Sequence, residues 1–253
     1  MSKPLHDFAM IPDMDQVTEE LAELAEDEEW DYHNTESDQD RPILHNYIHY
    51  TFKRIDEEEK VEYSEDNEHS CFNTGLVTPN QEPVYMLFEL NKIEDIESKW
   101  HYDRFVHKGE YDMNRFKSLP KMAHYFDDPS QLVFDTRLEV RANIDHIIEE
   151  NKERFPSPFD DMDDYVVQTA LKGAIQNAQE RVKRNYKAAV PQYYKGGIQL
   201  LLPLCLNDPS QADLALVVER HEGFYRAATC LTIDMAYNNA RQLARPAREW
   251  LQP

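Results

Sequence analysis

Between Arg181 and Tyr194 the chain reads RVKRNYKAAVPQYY, which gathers Arg181, Arg184, Asn185, Tyr186, Lys187, Gln192, Tyr193 and Tyr194; further on, AYNNAR supplies Tyr237, Asn238, Asn239 and Arg241. A guanidinium is a flat fork that fits a phosphate, and an ammonium is a point charge. A tyrosine ring offers a face on which a base can stack, and an amide can read a base edge. All four tasks of nucleotide capture are represented, so the expected partner is a nucleotide or single-stranded RNA. A competing reading has Tyr193 and Tyr194 as core aromatics and Arg181 and Arg184 as cations favoured at a helix C-terminus.

If the chain is an enzyme, the expected reaction is phosphoester cleavage by a hydrolase or ribonuclease. Arg184, Lys187 and Arg241 would hold the phosphate, with Lys187 among the reacting groups, and Tyr194 or His146 would move a proton. Asn73 and Thr74, and also Arg137 and Asn143, adjoin apolar runs where a loop or helix end could contribute to the same site. The first alternative is a module that binds a nucleotide or RNA end without turnover. The second is a protein-interaction domain that uses an acidic N-terminal helix.

Other spacings carry less. His45 and His49 stand four apart on an expected helix, but HExxH is missing and a third ligand is not evident, so packing at the core edge is favoured over metal binding. Asp160, Asp161, Asp163 and Asp164 read as helix-terminal acids that complement the macrodipole. The chain has no Walker loop, GxGxxG, GxSxG elbow or kinase signature, and only 6 glycines from which a phosphate cradle could be built. No metal and no cofactor are expected.

The elements that would position these groups follow from hydrophobic period. Val17, Leu21 and Leu24 mark an acidic amphipathic helix over 13–28, with Asp13 and Gln16 as a capping box; Ile43, Leu44, Tyr47, Ile48, Phe52 and Ile55 mark a second helix beginning at Pro42. Short β-branched or aromatic runs predict strands at 61–63, 71–77, 84–90, 104–107 and 132–135, with a short helix after Pro120. A helix over 141–154 stops at Pro156 and Pro158, and a longer one runs from about Asp164 to Ala188. Strands at 198–206, 214–220 and 225–231 and a helix at 234–243 complete the expectation. The predicted class is α+β, with a mainly antiparallel sheet and flanking helices: a helical segment over 1–40 and a single domain over 41–253.

The 253 residues carry a formal net charge of -22, unevenly spread. Residues 172–253 hold 11 Lys and Arg against 7 Asp and Glu, a net of +4, which leaves -26 on residues 1–171. An acidic protein repels polyanions at long range, so a nucleic acid would be captured in a local pocket rather than on a broad basic face. Cys71, Cys205 and Cys230 stand singly and read as buried thiols. With no membrane-length apolar run and no secretory pattern at its start, the chain is expected to be cytoplasmic.

The stretches CFNTGLVT, LVFDTRLEVRANIDHIIEENKERFP, RVKRNYKAAVPQYY, IQLLLPLCL and TCLTIDMAYNNARQLARPAREWL together resemble domain of unknown function 3825, over nearly the whole chain from about Trp30. In longer relatives this domain follows single-strand RNA-binding modules of the cold-shock or OST-HTH type, and the resemblance therefore implies an RNA-related task. It implies no particular reaction. This chain opens on an acidic helix instead of such a module.

Overall fold

The computed structural model describes residues 4–93, 98–246 and 250–252. The chain divides into two compact units, Met1–Tyr32 with Glu36–His124 and His33–Thr35 with Tyr125–Pro253. Each is a five-stranded, mainly antiparallel sheet with helices, as expected of the α+β class.

The first unit contains α1 (Leu5–Phe8), β1 (Ala9–Met10), α2 (Met14–Leu24), α3 (Pro42–Glu57), β2 (Glu62–Tyr63), β3 (His69–Val77), β4 (Pro83–Leu90) and β5 (Trp100–His107), with sheet order β1-β5-β4-β3-β2. Among the described residues of this unit, β1 alone runs parallel to its neighbour, β5. The Asp13 carboxylate accepts from the Gln16 amide and starts α2, and Pro42 occupies the first turn of α3, where its missing N–H costs nothing.

Both faces of this sheet are covered. On one side Phe8, Phe52, Phe72 and Phe88 form a ring cluster with centroids 4.8–6.0 Å apart. On the other, Cys71, Tyr85, Leu87 and Val106 pack with Met113 and Phe116. Burial on both faces explains why the middle of β4 reads VYMLF without polar alternation. The sequence expectation of a helix after Pro120 is corrected: 121–126 have no helical structure. Side chains pin this segment instead, with Asn73 donating to the Pro120 carbonyl, Lys60 to Met122 and Arg54 to His124.

The second unit contains β6 (Glu139–Ala142), α4 (Ile144–Asn151), α5 (Asp164–Arg184), β7 (Val190–Tyr194), β8 (Gly197–Leu204), β9 (Leu214–His221), β10 (Phe224–Thr232) and α6 (Ile233–Leu243), with sheet order β6-β10-β9-β8-β7. β6 runs parallel to β10. Residues alternating along the strands, among them Leu202, Leu216, Val218 and Ala227, pack against Ile147 of α4 and Val167, Leu171 and Ala178 of α5. Helix α6 packs against β7, β9 and β10.

Three more expectations change here. Residues 132–135 are not a strand, because the 3-10 turn Pro129–Leu132 leads to Phe134, whose ring stacks on Tyr225 at 4.4 Å. The helix expected over 141–154 is split: 139–142 form β6, α4 follows, and Lys152–Arg154 is a 3-10 turn. Residues 190–194, for which no strand is expected from the sequence, form β7, paired with β8 from Val190↔Leu201 to Tyr194↔Gly197. Lys195 and Gly196, both at positive φ (47° and 87°), make the two-residue turn that the twist of such a hairpin favours.

At the start of α6, buried Asp234 accepts from the backbone amides of His33 and Asn34 and from the Asn34 side chain. His33 and Asn34, which precede α3 in the chain, are thus held in the second unit, to which Thr35 also belongs. Among the described residues, no helix is long and apolar enough to cross a membrane.

Candidate functional site

One face of α5 carries Ala174, Asn177, Ala178, Arg181, Arg184 and, at its C-cap, Asn185. Their spacing of three and four puts them on one side of the helix, the alanines toward the sheet and the polar groups toward the rim. The opposite wall is the end of β8 and the loop after it: Pro203, Cys205, Leu206, Asn207 and Pro209. Between them lies a cleft of about 620 Å³.

The cleft exists because β7 pairs with β8 only as far as Val190↔Leu201. Pro203, two residues on, still faces Ala215 of β9 but has no N–H to offer a strand on its other side. The Trp250 indole donates to the Ala188 carbonyl at 2.8 Å and fixes the connector between α5 and β7.

Arg181 donates to the Pro209 carbonyl and so ties the loop to the helix. It also acts on Cys205, but burial outweighs that attraction and pushes the Cys205 thiol above its usual range. Asp213 caps the loop by accepting from the amides of Leu206 (2.6 Å) and Asn207 (3.1 Å), while the Asn207 side chain donates to Ser157 and Asp213. Asn185 accepts from the Lys187 amide. Arg184 is exposed and attracts the Glu180 carboxylate one turn earlier on α5, which is paired more closely with Lys183. The described lining residues include two arginines and no acid, while Asp213 and Asp208 act on Cys205 in the opposite wall.

The family described as a domain of unknown function, DUF3825, matches residues 21–250. The chain belongs to this family. The resemblance carried by CFNTGLVT and the other stretches is thereby confirmed. No curated protein and no solved structure matches this DUF3825 chain.

Of the residues expected at a site, the cleft in this DUF3825 domain brings together Arg181, Arg184 and Asn185. Tyr186 is 64% exposed beyond the helix end, and Lys187 is exposed beside it. Gln192 is buried in β7, donating to Gln199 at 2.9 Å, with its own carbonyl oxygen unpartnered. Tyr193 meets the Tyr125 ring edge-on at 4.8 Å, and Lys195 lies over the half-exposed Tyr194 ring. The second group sits on α6: Tyr237 and Arg241 are buried, Asn238 and Asn239 half-buried, and the Asn238 carbonyl oxygen is buried without a partner.

His146 is exposed on α4. Asn143 is the N-cap residue of that helix, and Arg137 makes a two-pronged pair with Asp135. In the first unit Asn73 and Thr74 are buried at a bulge in β3, where Asn73 accepts from the Gly75 amide and Thr74 donates to Val84. On α2, Glu19 pairs with Arg41 and Glu20 accepts from Tyr102.

Sequence reasoning missed Asn177, Cys205 and Asn207. Asn177 had a signal, since it precedes Arg181 by four and Arg184 by seven and so extends their stripe by one turn. Cys205 and Asn207 had none, because only the end of β7 pairing exposes them.

Proposed function

We propose that this chain is an RNA- or nucleotide-directed protein that holds a phosphate in the cleft beside α5. The observation that carries this reading is the pair Arg181 and Arg184 on one wall of a 620 Å³ space that also presents the amides of Asn177, Asn185 and Asn207. Guanidinium groups bind phosphate by charge-assisted hydrogen bonds, and amides bind ribose hydroxyls or base edges. The volume suits one nucleotide, in keeping with local capture by a chain of net charge -22. An RNA-related task is also what the resemblance to longer relatives implies.

Binding is favoured over cleavage. The described lining contains no histidine, tyrosine or carboxylate to move a proton, and Tyr194 and His146 are not among the residues that line it. The experiment is fluorescence anisotropy with short single-stranded RNA bearing a terminal phosphate, competed with nucleoside monophosphates. Arg184→Ala should weaken binding about 10-fold or more, the effect of losing one charged hydrogen bond. Absence of binding by the unaltered chain, or equal binding by Arg184→Ala, would reject the cleft. RNA cleavage that disappears in Tyr194→Phe or His146→Ala would instead favour the phosphoester-cleaving reading.

A further inference from the structure

The first unit holds a cluster of imidazoles that the α5 cleft does not involve. His45 and His49 lie one turn apart on α3, their ring centroids 4.6 Å from each other. His6, on α1, lines with His49 two cavities of about 680 and 390 Å³, and His45 lines the smaller. The short helix α1 is held against α3 by buried Leu5 and by Phe8, whose ring is 4.8 Å from Phe52. His6 is therefore presented by a seated element and not by a free end.

We propose that His45 and His49 chelate a late first-row transition-metal ion such as Zn2+, with His6 as a third nitrogen ligand. Residues four apart on a helix project side by side, and imidazole is a favoured ligand for Zn2+, Ni2+ and Cu2+. The two rings are tilted by 52° to each other, neither stacked flat nor edge-on. The Nδ1 atom of His45 is buried and has no hydrogen-bond partner, a position that ordinarily calls for an occupant.

His6 adds an outer partner: its Nε2 is 3.4 Å from the Asp7 carboxylate, which leaves Nδ1 for the metal in the carboxylate–histidine arrangement common around bound ions. The remaining coordination positions open into the cavities, where a water or a small ligand can enter. Among the described residues no group of three or more such side chains stands ready to hold a metal, and binding therefore requires His6 to move toward the His45–His49 pair.

The test is titration of the chelator-treated full chain with Zn2+ alone, followed by calorimetry and by imidazole NMR, with Mg2+ as control. One equivalent of Zn2+ should bind, shift the His45 and His49 resonances and raise the melting temperature, while Mg2+ does neither. His49→Gln and His45→Gln should each lower affinity at least 10-fold, and His6→Gln should do so to a smaller extent. Circular dichroism establishes that each variant is folded, and the NMR readout on the unaltered chain requires no variant. Zinc that leaves these two imidazoles unmoved, or that binds folded His49→Gln as tightly, overturns the proposal.

Discussion

The phenol of Tyr47 donates to the carbonyl of Thr74 at 3.0 Å, and its oxygen stands 2.6 Å from where a Cβ on Gly75 would lie. Helix α3 is thereby keyed to the β3 bulge, and Gly75 is required twice over, because its φ is +77°. Gly75→Ala should cost about 2–3 kcal/mol. Tyr47→Phe should cost about 1 kcal/mol for the lost hydrogen bond. Because Tyr47→Phe also removes the clashing oxygen, the double variant should be less destabilised than the sum of the two. Urea denaturation midpoints measure all three.

Cys205 is half-buried, whereas Cys71 and Cys230 are buried, with burial pushing the Cys230 thiol up to about 12 and that of Cys71 higher still. A maleimide should therefore label Cys205 first and the other two only on unfolding. A ligand seated between Arg181 and Arg184 should slow that labelling. Peptide mass mapping with and without a nucleoside monophosphate reads both outcomes and reports on the cleft independently of affinity.

Burial, then the neighbouring His45 and His6, lowers the pKa of His49 from 6.5 to about 4. Between those values the unfolded chain binds the proton and the folded chain does not, so stability falls as the pH drops from about 6.5 toward 4 and is unaffected by this group above 6.5. In metal-free buffer, His49→Gln should lose less stability than the unaltered chain on going from pH 7 to 5. Denaturation midpoints at the two pH values check this, with the carboxylates common to both proteins.

At the bulge in β10, the Asn151 carbonyl oxygen accepts from the Cys230 amide at 2.8 Å and from the Thr229 hydroxyl at 2.7 Å. Asn151→Ala strands a buried backbone N–H and should cost about 2 kcal/mol. Asn151→Asp retains an acceptor and should cost less. Thermal melts of the two variants distinguish the lost acceptor from a simple change of side-chain volume.

Much of the fold is legible where a periodic apolar face meets a recognisable end. Pro42 starts α3, Asp13 caps α2, and the IQLLLPL and LALVV runs become β8 and β9. Strand β7 was not legible, since VPQYY contains a proline and adjoins a basic helix end; only pairing with β8 makes it a strand. The division of the strands between two sheets was equally hidden, because pairing partners lie far apart in the chain: β1 joins β5 across some ninety residues, and β6 joins β10 in parallel. At the cleft, residue types located Arg181, Arg184 and Asn185, while the opposite wall depends on where β8 loses its neighbour.

The grip of Asp234 on His33 and Asn34 bears on how the protein can be dissected. A fragment beginning at Tyr125 would keep a carboxylate that is 1% exposed in the intact chain and would lack the three donors it accepts from. A buried charge without partners is severely unfavourable. No single cut of the polypeptide therefore yields the second unit whole: the start of α6 depends on two residues that lie 201 and 200 positions upstream, and a truncation series would register as cooperative loss rather than as a domain boundary.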